Sequence, residues 1–169
     1  KKAEYLIINA AECEPYLTSD NRVILEHTEE VLIGIEIMKK ALNINKAKIG
    51  IEANKPKALE ALRKMLNQYP GTEVVPLKTK YPQGAEKQLI YALTKREVPS
   101  GKLPIEVACV VNNVGTAFAI YQAIQKNPDY HSNISYLENF AGFPVYKNSS
   151  AKYLSPGEKF FPVLLEELE

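Results

Sequence analysis

The side chains able to do chemistry fall into four short clusters. They are Asn9-Ala10-Ala11-Glu12-Cys13-Glu14-Pro15-Tyr16, Glu52-Ala53-Asn54-Lys55, Lys80-Tyr81-Pro82-Gln83-Gly84-Ala85-Glu86-Lys87 and Asn112-Asn113-Val114-Gly115-Thr116. Amides, carboxylates, lysines and glycines are ligand-binding groups, and the clusters hold no nucleophile paired with a base. His27 and His131 have no partner at metal-ligand spacing, and Cys13 and Cys109 are too few for a zinc site or a four-cysteine cluster. Each cluster alone has a plainer explanation. Gly84 and Gly115 suit turns, Asn112-Asn113 suits a helix cap, and Glu12 and Glu14 suit solvent near a helix N-terminus. Lys55, Lys80 and Lys87 could reach a nucleotide phosphate, although each alone reads as a solvated lysine. Cys13 reads as an inert small apolar residue, with contact to a bound ligand as the alternative, and Cys109 reads as core.

The elements around the clusters decide between these readings. Tyr5–Ala10, Ala47–Ala53, Thr72–Leu77 and Glu106–Asn112 are short apolar runs without strict alternation, the pattern of strands buried on both faces. Pro76 cannot donate to a ladder, so the third run ends there or lies at an edge. Helical spacing recurs between them. Val31, Leu32, Ile35, Met38 and Leu42 follow a Thr28 cap. Leu59, Leu62, Leu66 and Tyr69 follow Asn54 and Pro56, and stop at Pro70-Gly71. Leu89, Ile90 and Leu93 follow Gly84, and Ala117, Ile120, Tyr121 and Ile124 follow Gly115. A further short helix covers Asp20–Glu26. Alternating strands and helices predict an α/β three-layer sandwich with a mostly parallel four-stranded sheet. Ligands bind such sheets outside the carboxyl ends of the strands, where all four clusters fall. Their convergence on one edge outweighs the separate explanations.

The chain has 169 residues with 21 basic and 20 acidic side chains, a net charge of +1 and 46% apolar residues. That length suits one α/β domain, expected over residues 1–127. The balanced charge argues against a nucleic-acid partner. No apolar stretch approaches the ~20 residues needed to span a bilayer, so no direct membrane insertion is expected. Two cysteines fit a reducing compartment. Residues 128–169 hold eight of the fifteen aromatics, so this irregular C-terminal segment is expected to pack on the domain or a partner. Within it, Ser155-Pro156-Gly157-Glu158 reads as the start of a short final helix reaching Glu169, its regularity limited by Pro162.

Asn9-Ala-Ala-Glu-Cys-Glu-Pro-Tyr-Leu-Thr-Ser-Asp20, Arg22-Val-Ile-Leu-Glu26, Lys80-Tyr-Pro-Gln-Gly-Ala-Glu-Lys-Gln88 and Val110-Val-Asn-Asn-Val-Gly-Thr116 resemble the Rnf electron-transport complex, in the subunit that bears its FMN- and NADH-binding domain. The resemblance covers roughly residues 1–126. That family is similar to the flavin-bearing subunit of respiratory complex I and to cobalamin reductases. The resemblance implies a Rossmann-like domain that binds FMN and exchanges hydride with NAD(H). Asn9, Ala11 and Glu12 would line the flavin, and Glu14 would face flavin and nicotinamide. Tyr81, Gly84 and Glu86 would lie beside the isoalloxazine ring and the nucleotide. Val111, Asn112, Asn113 and Thr116 would hold the ribityl chain and phosphate. Asparagine amides satisfy hydroxyls, and a helix N-terminus accepts phosphate. The implied partners are other subunits of a membrane-bound complex, with the protein peripheral on its cytoplasmic face.

The family also carries a glycine-rich loop before the first strand and an iron–sulfur module with Cys-x-x-Cys spacing. This chain starts after the one and lacks the other spacing. Together with the opening Lys1-Lys2, this predicts an excised fragment of a longer oxidoreductase polypeptide. It would hold no iron–sulfur cluster and be inactive alone. The rival readings are a non-catalytic docking or scaffold piece and a cobalamin-reductase relative.

Overall fold

The apolar run Tyr5–Ala10 forms strand β1 and is the heart of the sheet. Leu6, Ile7 and Ile8 are all fully buried, as a strand covered on both faces requires. A computed structural model describes residues 2–12, 19–78 and 85–126. Helices α1 (Ser19–Glu26) and α2 (Thr28–Ala41) lead to β2 (Ala47–Glu52), and α3 (Pro56–Met65) leads to β3 (Thr72–Leu77). Helix α4 (Glu86–Thr94) then leads to β4 (Cys109–Asn113), which runs straight into α5 (Val114–Tyr121). The four strands are parallel in the order β3-β2-β1-β4. Pro76 thus sits on the edge strand β3, where its missing N–H costs least.

The fold is an α/β three-layer sandwich. On one face, α4 lays Leu89, Ile90 and Leu93 over Ile7, Leu77 and Cys109. The other face carries Leu6, Ile8, Ile49 and Ile51, all essentially buried. Helices α1, α2, α3 and α5 pack among themselves, and α5 also meets β1. Burial pushes the Cys109 thiol above its usual range, so it stays protonated in the core. At the amino end of the sheet, buried Lys39 donates to Glu36 (2.7 Å), to the Pro70 carbonyl (2.7 Å) and to Thr72 (3.3 Å). These bonds compensate a buried ammonium and tie the end of α2 to the start of β3.

Several boundaries differ from the sequence reading, and three of them have a clear local reason. The fourth strand starts at Cys109 rather than Glu106, because Pro104–Val107 winds into a 3₁₀ turn and Ala108 adopts a left-handed φ of 56°. His27, not Thr28, holds the cap position of α2. Only one residue separates α1 from α2, and the Thr28 hydroxyl donates back to the Ile24 carbonyl. Lys55, not Asn54, precedes α3, with Pro56 in its first turn. His27, read from the sequence as a surface residue or a cap, holds that cap position and also stacks on Phe118 at 4.4 Å.

The chain divides into two units, Lys1–Tyr121 and Gln122–Glu169. In the second, Gln122–Lys126 form a π-helical stretch. The boundary expected after residue 127, the aromatic segment 128–169, His131 and the helix start at Ser155–Glu158 lie outside the described residues.

Candidate functional site

Strand order sets the site's position. The chain winds outward from β1 through β2 to β3, then returns to place β4 on the other side of β1. The order therefore reverses between β1 and β4, the usual ligand position in such sheets, and the helices that leave their carboxyl ends, α1 and α5, pack against each other on one face. Asn9 and Asn113 are register partners across this point, one pair beyond Ile8 and Asn112.

The side chains at this edge form a connected set. Asn9 Oδ1 accepts from the Ala11 N–H at 3.0 Å and turns the chain out of the sheet. Glu12 follows, with its side chain only 7% exposed. Its Oε1 accepts from the Asp20 N–H at 2.8 Å, capping α1 from eight residues upstream. Its Oε2 pairs with Lys55 Nζ at 3.3 Å, just before α3. Asp20 Oδ2 accepts from Asn113 Nδ2 at 2.7 Å. Asn113 Oδ1 in turn accepts from the Gly115 N–H at 2.6 Å, the N-cap bond of α5. One chain of bonds thus runs Lys55–Glu12–α1–Asp20–Asn113–α5. It joins the ends of β2, β1 and β4 and fixes three helix starts. The Asn113 amide is held at both ends, so its orientation is set.

Burial pushes the Asp20 carboxyl above its usual range. The Asn113 hydrogen bond opposes this shift, and nearby Glu12 adds to it. A raised folded-state pKa contributes stability that is fully present below the unfolded value of about 4 and is lost as pH rises through the folded value. Asp20→Asn keeps an acceptor for Asn113 and removes the titration. Urea unfolding from about pH 4 to 7 is therefore expected to show the variant gaining on wild type as pH rises. A pH-independent difference would contradict the assignment.

The family model described as the Nuo51 FMN-binding domain matches residues 1–122. The chain belongs to this FMN-binding domain family. Its relatives include a subunit of the proton-translocating ferredoxin:NAD(+) oxidoreductase complex of Clostridium ljungdahlii, 56% identical over 128 residues, covering 75% of this chain and 27% of the relative. The corresponding subunit of the Na(+)-translocating complex of Acetobacterium woodii is 48% identical over 147 residues, covering 87% of this chain and 30% of the relative. The chain thus spans under a third of the length of these relatives. Among solved structures, a chain of an NAD+-reducing [NiFe]-hydrogenase superposes with a TM-score of 0.60 at 22% identity, covering 72% of this chain and 24% of that one. That likeness shows the shared fold.

In this FMN-binding domain the structure brings together five residues singled out from the sequence: Asn9, Ala11, Glu12, Asn112 and Asn113. Thr116 sits half-buried in the first turn of α5, and Val111 lies half-buried against the α4-face core. Glu86 is exposed at the start of α4. Cys13, Glu14, Lys80, Tyr81 and Gly84 lie outside the described residues. Lys55 is not a solvated lysine but the counter-ion of Glu12. Lys87 reaches the Pro99 carbonyl at 3.1 Å. Asp20 is the organising residue that sequence reasoning missed. It stood at the end of the first quoted motif, but nothing in a spacing of 93 positions signals its bond to Asn113.

The donor set fits a flavin mononucleotide. The edge offers amides, a hydroxyl and the first turn of a helix, which suit a polyol and a phosphate. The backbone at Gly115 is bare on that side, and a Cβ there would stand 3.0 Å from Asn113 Oδ1 and 3.8 Å from Asp20 Oδ1. Among the described residues no group of three or more His, Cys, Asp or Glu could hold a metal. No helix among them is long and apolar enough to cross a membrane.

Proposed function

We propose that this chain supplies the FMN site of an electron-transport oxidoreductase that exchanges hydride with NAD(H) and works beside partner subunits at a membrane. The observation that carries this reading is the Asn9–Asn113 pair at the strand-order reversal, within a chain of the FMN-binding domain family. The names of the relatives, as parts of ferredoxin:NAD(+) oxidoreductase complexes, support the assembly and the NAD(H) partner. The bound flavin would supply the two-electron chemistry.

The chain's own residues bind and orient. Asn112 and Asn113 would satisfy ribityl hydroxyls, and Thr116 with the first turn of α5 would hold the phosphate. Asn9 and Ala11 would line the ring pocket beside Val111. Glu12 has both carboxylate oxygens committed to α1 and Lys55, so its part is to hold the pocket wall and exclude water. Glu14, Tyr81, Gly84 and Glu86 complete the motif and would face the ring and the nicotinamide nucleotide.

Titrating the purified chain with FMN tests this through flavin fluorescence and the visible spectrum. Saturable binding in the micromolar range is expected. Asn113→Ala is expected to weaken it at least tenfold, since it removes both a ligand group and the α5 cap. No binding at high micromolar FMN would sink the reading for this chain.

A further inference from the structure

One acidic side chain at the same edge has no part in the scheme above. Glu52 ends β2 and is 6% exposed. Its backbone carbonyl accepts from the Lys55 N–H at 3.1 Å, yet among the described residues its carboxylate has no hydrogen-bond or ion-pair partner. Glu12, whose side chain is similarly buried, differs, because it is spent on Lys55 and α1. Among the described residues no fully buried side-chain oxygen lacks a partner, so the Glu52 carboxylate keeps a narrow opening to water, through which a ligand donor can reach it.

Strand geometry places Glu52 on the ligand side. Successive residues alternate faces, so Glu52 shares its face with Gly50. A Cβ at Gly50 would meet Leu89, Leu77 and Leu93, which identifies this as the α4 face. Asn9 is the register partner of Gly50, and Ala11 lies level with Glu52 one step past the paired positions. Leu77 is the register partner of Glu52 on β3, and Leu77, Leu89 and Leu93 fill the space over Gly50, so the small Ala11 leaves room for a ligand on the β1 side only. Asn9, Ala11, Val111 and the start of α4 at Glu86 lie on or beside this same face. Ionised carboxylates accept only, and the ligand group that best supplies two adjacent O–H donors is a sugar diol.

We propose that Glu52 is a ligand-binding carboxylate of this edge, accepting the hydroxyls of a sugar chain: the ribityl of FMN or the ribose of NAD(H). This rests on the nucleotide-binding reading above. Calorimetric titration of wild type and Glu52→Gln with FMN, lumiflavin and NAD+ separates the outcomes. A loss of about tenfold for FMN with lumiflavin unchanged assigns the ribityl chain. A similar loss for NAD+ alone assigns the ribose. Equal affinities within about twofold, or an equal loss for lumiflavin, overturn the assignment while leaving FMN binding intact. Wild type that binds no nucleotide overturns both readings. Should Glu52→Gln fail to fold, the assigned Cδ carbon resonance of Glu52 in wild type provides the measurement. A shift on adding FMN or NAD+ supports the assignment, and no shift at saturation overturns it.

Discussion

Gly34→Ala is expected to destabilise the domain by about 3 kcal/mol. A Cβ at this position would lie 1.9 Å from the Ala117 carbonyl oxygen and 2.6 Å from its carbonyl carbon. These are backbone atoms, so no rotamer change relieves the overlap. Ordinary contact begins near 3.4 Å, so α2 and α5 must separate by the difference between 3.4 and 1.9 Å, which is 1.5 Å. Alanine's advantage over glycine in a helix is about 1 kcal/mol and does not offset that separation. Moving α5 also moves its start, where Asn113 caps Gly115 and binds Asp20. Weaker FMN binding is therefore expected alongside the lower urea midpoint. A loss under about 1 kcal/mol with flavin affinity unchanged would show that the two helices part freely.

Glu12→Ala is expected to cost about 2 kcal/mol, from a lost cap and a counter-ion removed from Lys55. The charge contribution is below that of a fully buried pair because the Lys55 side chain is 23% exposed. Glu12→Gln separates the two parts, since its amide oxygen still caps α1 at Asp20 while the charge is gone. Lys55→Met leaves Glu12 buried without its cation and is expected to cost more than Glu12→Gln. In a double-mutant cycle, Glu12→Gln with Lys55→Met should recover about 1 kcal/mol of the summed losses. Strict additivity in urea unfolding would mean that the pair contributes nothing to folding.

Much of the architecture is legible in local pattern. Leu6-Ile7-Ile8 declares a central strand because three consecutive buried residues need cover on both faces. Pro76 declares an edge because a prolyl nitrogen cannot join a ladder. The boundaries that moved were decided by conformations that residue type signals weakly. Ala108 is left-handed at φ 56°, and alanine carries no mark of that. His27 reads as a surface residue or a cap, and its stacking on Phe118 of α5 carries no local mark.

The sequence by itself determined which residue types stand at the carboxyl ends of the strands, and hence that one edge is polar and glycine-bearing. It also determined membership of the FMN-binding domain family, because Asn9-to-Asp20 and Val110-to-Thr116 are contiguous motifs. Only the tertiary structure decided how those groups divide their work. Glu12 is committed to Lys55 and α1, Asp20 to Asn113, and Glu52 is left without a partner among the described residues. The physical reason is that hydrogen bonds and ion pairs act over about 3 Å in space, whereas these partners stand 43 and 93 positions apart in the chain. The order β3-β2-β1-β4 brings them within reach.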